Sequence, residues 1–235
     1  MAIDLRHLLR RNRGIVLFIV LMVVFRSAIA DWNDVPSTSM SPTILAGDRI
    51  WVNKLAYDLK LPLTGHSLLR LGEPQRGEVV VFDSAAADLR LVKRVVAVPG
   101  DVVSLRGNRL SINGQQAHYE RIGQDADGEI ALERIADHQR QVTRAPRRPV
   151  QADFGPVIVP PDQFLAMGDN RDNSIDSRVY GFVPRHELLG RTGTVVFSLD
   201  YQRWLRPRGE RFLKAMDGDL DELAGTAAAG AAGKG

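Results

Sequence analysis

Glycine and proline cut this chain into short apolar runs, and that punctuation limits the possible folds more than any other feature. Arg49-Ile50-Trp51-Val52-Asn53 follows the turn Ala46-Gly47-Asp48. Gly77 to Phe82 (GEVVVF) reads as a buried strand, and so does Leu89 to Val98, which stops at Pro99-Gly100-Asp101. Val102 to Leu105 and Arg109 to Ile112 flank Arg106-Gly107-Asn108, and the hairpin dipeptide Asn113-Gly114 follows. Phe164 to Met167 and Gly193 to Phe197 complete the set. Short strands at such close spacing predict a mainly β fold with an antiparallel sheet core.

Three stretches depart from this pattern. The first is Gly14 to Phe25 (GIVLFIVLMVVF), uncharged and preceded by Arg6, Arg10, Arg11 and Arg13. About twelve helical residues rise only about 18 Å, against a hydrocarbon core of about 30 Å. Extension to Ala30, with Arg26 snorkelling to the interface, gives about 17 residues, the lower limit for a span. The arginine asymmetry puts the N-terminus in the cytoplasm and the rest outside. Residues 1–13 are therefore expected as a cytoplasmic basic N-terminus and 14–30 as a transmembrane anchor. Two other readings compete. Ala28-Ile29-Ala30 has the A-x-A form of a signal-peptide cleavage site, although Arg26 stands unusually close to it. A run this short also fits a buried core helix.

The second stretch, 115–157, is polar and rich in arginine (Arg140, Arg144, Arg147, Arg148). It reads as an insertion on a β-domain made of 31–114 and 158–212. The third, 213–235, ends in GTAAAGAAGKG, which buries too little apolar surface to order itself. The chain has no cysteine, which removes thiolate nucleophiles, disulfides and Cys-type zinc sites. A net charge of +3 with 6% aromatic residues gives no basic, aromatic-laced stripe, so nucleic acid is not an expected partner.

Chemistry enters at Pro36-Ser37-Thr38-Ser39-Met40-Ser41-Pro42-Thr43. The two prolines restrict their neighbours to extended or turn geometry, which suits a nucleophile held in place. A serine hydroxyl needs a base. The five histidines (His7, His66, His118, His138, His186) lie in polar or loop-like contexts, none at the strand end that a Ser-His-Asp site wants. Lysine serves instead if it is neutral, which needs a fall of about 2–3 units from its reference pKa. In Leu91-Val92-Lys93-Arg94-Val95-Val96-Ala97, strand alternation puts Leu91, Lys93, Val95 and Ala97 on one face. Arg94 points the other way and cannot act as a base, because arginine does not deprotonate. Taken singly, each segment has a plainer reading: a snorkelling lysine on an edge strand, and a Ser/Thr/Pro linker.

A third segment, Gly168-Asp169-Asn170-Arg171-Asp172-Asn173-Ser174-Ile175-Asp176-Ser177-Arg178, invites comparison with a calcium loop. Counted from Asp169, however, position 3 is Arg171, position 6 is Ser174 and position 12 is Tyr180, so the ligand pattern fails. An internally bonded loop with an Asp176–Arg178 ion pair fits better, and no metal or cofactor is expected.

Together with Arg76 to Phe82 and Lys93 to Asp101, these segments resemble the signature boxes of bacterial type I signal peptidases, membrane-bound Ser–Lys leader peptidases. The resemblance runs from about Asp31 to Phe197 and covers 115–157 poorly. It implies that Ser39 attacks the scissile carbonyl and that neutral Lys93 takes its proton and later activates water. It further implies that Ser174 orients the lysine amine, that Ser37 and the Ser39 N–H form the oxyanion hole, and that Asp176 and Arg178 brace the loop. The implied partners are the lipid bilayer and preproteins with cleavable signal peptides, cut after small residues and bound as an added strand between Asp31–Val35 and Arg90–Lys93. The best-known Gram-negative members have two spans, whereas this chain offers one short span. Competing functions are a dedicated peptidase of a conjugation or pilus system, a self-cleaving Ser–Lys regulator, and a non-catalytic membrane-tethered β-domain that binds peptides.

Overall fold

A computed structural model describes residues 12–136, 138–145, 151–201 and 203–216. His7, nearly all of the basic N-terminus, Arg147, Arg148 and the Gly/Ala tail from 217 onward lie outside the described residues. Helix α1 (Arg13–Ala28) leads into β1 (Ala30–Val35), followed by β2 (Asp48–Asn53), β3 (Asp58–Lys60) and β4 (Ser67–Arg70). Next come β5 (Val79–Ser84), β6 (Leu89–Ala97), β7 (Val102–Arg106), β8 (Arg109–Ile112) and β9 (Gln115–Gln116). Then follow β10 (His118–Gln124), β11 (Glu129–Ile135), β12 (His138–Arg144), β13 (Phe154–Ile158) and β14 (Gln163–Met167). Helix α2 (Ser177–Tyr180) precedes β15 (Val183–Pro184), β16 (Leu188–Asp200), β17 (Arg206–Pro207) and β18 (Lys214–Ala215).

The fold is mainly β and antiparallel, as the punctuation predicts. A nine-stranded sheet runs β1-β2-β16-β5-β6-β14-β15, with β17 and β18 also on β16. Smaller sheets are β10-β11-β12, β13-β7-β8-β9 and β3-β4. The uninterrupted run in β5 has a simple cause. Val79 and Val81 pack with Met40, Ile44, Ile50 and Val52, while Val80 and Phe82 pack with Tyr57, Phe164 and Leu188. The strand is buried on both faces, and each such side chain contributes roughly 1.5–3 kcal/mol by burial.

Five expectations are corrected. Helix α1 ends at Ala28, and Ala30 pairs with Asn53 as the first residue of β1, so the span drawn to Ala30 is too long. The Lys54 N–H takes the Ile29 carbonyl, which diverts the backbone from helix to ladder. With 16 residues, α1 rises about 24 Å. Among the described residues no helix is long and apolar enough to cross a membrane. The core-helix reading also fails, because every side chain from Ile15 to Phe25 is exposed.

The polar stretch 115–157 carries β9 to β13. Its periodicity is obscured because β11 and β12 bury charged Glu133 and Arg140 beside Ala131, Ile135 and Val142. Along β6, Leu91 and Val95 line the core face expected of Lys93, but Ala97 joins a different cluster, past a register shift in the β14 pairing. Finally, the tail drawn from 213 begins with order: Lys214 and Ala215 pair with β16, and Met216 is buried beside Val195.

Candidate active site

The nucleophile segment leaves β1 at Val35 and closes on itself. Ser41 N–H donates to Thr38 O at 3.0 Å and Ile44 N–H to Met40 O at 3.0 Å. Met40 and Ile44 are inserted in the core, so the half-buried Ser39 stands at the rim of a packed layer. Lys93 reaches it from β6: Nζ donates to Ser39 Oγ at 2.6 Å. The lysine is 2% exposed. Burial lowers its pKa from 10.5 to about 8, against the opposing pull of Asp176 and then Asp169. An amine in that range is readily available as a free base, which an exposed lysine is not.

Ser37 Oγ lies 3.3 Å from Ser39 Oγ. The Ser39 N–H has no protein acceptor among the described residues.

The loop after β14 is assembled on Asp176, the N-cap of α2. Its Oδ2 accepts from Ser174 Oγ at 2.8 Å, Gly168 N at 2.9 Å and Arg178 Nη2 at 2.9 Å, and its Oδ1 accepts from Arg178 Nε at 2.9 Å. Burial pushes this carboxyl up, but the Arg178 bonds outweigh it and hold it below its ordinary value. The expected Asp176–Arg178 pair is therefore present and buried. Ser174 is brought to the site, but its hydroxyl bonds to Asp176, and the Lys93 amine is given to Ser39. Gly168 explains how closely these parts approach: a Cβ there would collide with Ser174 Oγ and the Ser39 carbonyl oxygen.

Sequence reasoning missed several residues that hold the site. Arg94, dismissed as a base, is buried and donates from Nε and Nη2 to Asp169 at 2.8–3.2 Å and from Nη1 to Gly77 O at 2.7 Å. Thr43 Oγ1 donates to the same Asp169 at 2.6 Å, which joins β6, the loop and the nucleophile segment. Asn170 donates its N–H to Ser39 O at 3.1 Å and Nδ2 to Thr38 O at 3.2 Å. An arginine inside an apolar strand was the available signal, since a buried guanidinium demands a carboxylate. Of the histidines, His66, His118 and His186 are exposed.

The family described as "Signal peptidase, peptidase S26" matches residues 8–197. A signal peptidase I of Pseudomonas fluorescens is 34% identical over 209 residues, covering 82% of this chain and 71% of that protein. One of Pseudomonas aeruginosa is 34% identical over 199 residues, covering 78% and 69%. A probable signal peptidase I-2 of Synechocystis is 32% identical over 189 residues, covering 78% and 70%. The chain that carries this serine, lysine and braced loop belongs to the signal peptidase family, peptidase S26.

Proposed function

We propose that this peptidase removes signal peptides from secreted preproteins, with Ser39 as nucleophile and Lys93 as general base. The single observation behind the residue assignment is the 2.6 Å contact between a buried lysine amine and the serine hydroxyl. In this reading Lys93 accepts the Ser39 proton as Oγ attacks the scissile carbonyl. The negative oxygen meets the Ser37 hydroxyl and the Ser39 N–H. The protonated amine then gives its proton to the leaving nitrogen, and an acyl group remains on Ser39. Lys93, neutral again, activates the water that releases it. Asp176 and Arg178 hold the loop, and Ser174 packs beside the dyad as part of it.

The substrate is a preprotein strand with small residues at the first and third positions before the cut. Two unpaired edges support this reading. Strand β1 ends the main sheet, and among the described residues Leu89–Lys93 of β6 pair only with β5, because β14 begins its pairing at Arg94. An extended peptide between them would add main-chain bonds and pass the Ser39 hydroxyl.

We read α1 as the membrane anchor, with the N-terminus cytoplasmic and the catalytic β-domain on the outer face. A helix apolar on every side and exposed along Ile15 to Phe25 has no water-stable home. Arg26 beside Trp32 (4.4 Å) and Phe25 near Trp51 (6.5 Å) form the aromatic and basic fringe that suits an interface. Incubating a preprotein carrying an A-x-A site with wild type and with Ser39→Ala tests the function; cleavage by Ser39→Ala refutes it. Carbonate extraction of membranes tests the anchor, with the chain expected in the pellet.

A further inference from the structure

The sheet of β10, β11 and β12 lies outside the motifs that carry the family resemblance, yet it grips the loop that follows β14. Glu133 in β11 is completely buried. Its carboxylate accepts from Arg140 Nε of β12 at 2.5 Å and from Tyr119 Oη of β10 at 2.7 Å. It also accepts from Arg171 of the loop, through Nη1 at 2.5 Å and Nη2 at 2.8 Å. Burial alone pushes this carboxyl up, but Arg140 and Arg171 outweigh it and hold it far below the usual carboxylate range.

Main-chain bonds add a second tie. Thr143 N–H of β12 donates to Asp169 O at 2.9 Å, and Arg171 N–H donates to Thr143 O at 2.9 Å. Between these two, Asn170 holds the Ser39 and Thr38 carbonyls, and its Nδ2 also donates to Asp127 Oδ2 in the β10–β11 turn at 3.0 Å. A continuous row of contacts therefore runs from Glu133 through Arg171 and Asn170 to the peptide of Ser39.

We propose that Glu133 is a positioning residue for the peptidase reaction: through Arg171 it sets the loop that holds the Ser39 turn in register with Lys93. This rests on Ser39 and Lys93 being the reacting pair. A buried ion pair is weak evidence for stability, because apolar residues of similar volume serve as well. Fixed geometry is what this one supplies, and misplacement of about 1 Å at a reacting centre costs about a hundredfold in rate.

The test compares full-length wild type, Glu133→Gln, Asp127→Ala, Leu132→Ala and Ser39→Ala on one preprotein, well below the lowest Tm. Glu133→Gln is expected to lower kcat about a hundredfold with KM nearly unchanged. Asp127→Ala, in a half-buried turn, is expected to lower kcat about tenfold through the lost Asn170 bond. Leu132 points to the opposite face of β11, so Leu132→Ala should lower Tm and leave kcat within about twofold. A folded Glu133→Gln with wild-type kcat overturns the proposal, and so does a Leu132→Ala that loses kcat equally. Should Glu133→Gln fail to fold, Arg171→Lys replaces it, and a folded Arg171→Lys with wild-type kcat overturns the proposal instead. Activity in Ser39→Ala would refute the Ser–Lys reading itself, a separate failure.

Discussion

Lys93 Nζ donates to Ser39 Oγ at 2.6 Å, and the bond joins a sheet strand to a turn that is anchored in another layer of the core. Among the described residues no carboxylate is in hydrogen-bond contact with either partner. The Asp176 and Asp169 carboxylates act on the lysine from the loop, without an ion pair to it. Burial outweighs their pull, so the amine loses its proton more readily than an exposed lysine and stays free to bond the hydroxyl. The predictions below concern this contact and its supports.

Both members of the pair are expected to be indispensable. Ser39→Ala and Lys93→Ala should each reduce preprotein cleavage by several orders of magnitude, as for residues acting as one unit. Lys93→Arg should be as inactive as Lys93→Ala, because a guanidinium stays protonated. Single-turnover cleavage assays decide this, and appreciable turnover by Lys93→Arg would contradict the assignment.

Activity should rise with pH through the lysine titration. Burial lowers the Lys93 pKa from 10.5 to about 8, so kcat/KM should climb with a midpoint near pH 8. Stability follows the same group. Between about pH 8 and pH 10.5 the unfolded chain holds a proton that the folded chain has lost, so stability increases with pH there. Below pH 8 the full penalty applies, roughly 3 kcal/mol for a shift of this size. Lys93→Met should therefore raise Tm most at pH 6–7, with the gain shrinking toward pH 10.5. EDTA should leave activity unchanged, since a serine–lysine pair needs no Lewis acid.

Removing the loop brace destabilises the fold. Asp176→Ala leaves a buried Arg178 without its carboxylate and the Gly168 N–H and Ser174 hydroxyl without their acceptor. Breaking a buried pair in this way costs about 3–5 kcal/mol. Urea unfolding should show that loss at neutral pH; a change below about 1 kcal/mol would mean the loop is held by other contacts.

Gly168→Ala should damage catalysis more than folding. The added methyl meets Ser174 Oγ and the Ser39 carbonyl oxygen, so the nucleophile turn or the loop must move. A circular dichroism spectrum like wild type with kcat lowered about a hundredfold is the expected result. Normal turnover would show that the gap at Gly168 can open without cost.

Most strands were legible in the sequence because they are short apolar runs between Gly, Pro and Asn turns; β2, β5, β6, β7, β8, β14 and β16 lie where the punctuation puts them. The strands of 115–157 were not, because Glu133 and Arg140 are charged letters that look solvated. Only pairing across β11 and β12, with Arg171 arriving from elsewhere, makes their burial possible. Helix α1 was legible as an apolar run, but its end was not, because the Ile29 carbonyl is claimed by Lys54 of a distant strand end.

The candidate chemistry is readable from the chain alone: a proline-bounded serine, a lysine flanked by apolar strand residues, no cysteine, and histidines in polar or loop-like contexts. How those groups meet depends on packing between distant segments. The depressed lysine pKa is a property of burial between layers, and the serine's place is set by Asn170, Gly168 and the Arg94–Asp169 pair. Desolvation and close approach depend on segments far apart in the chain, so no local pattern of residues encodes them.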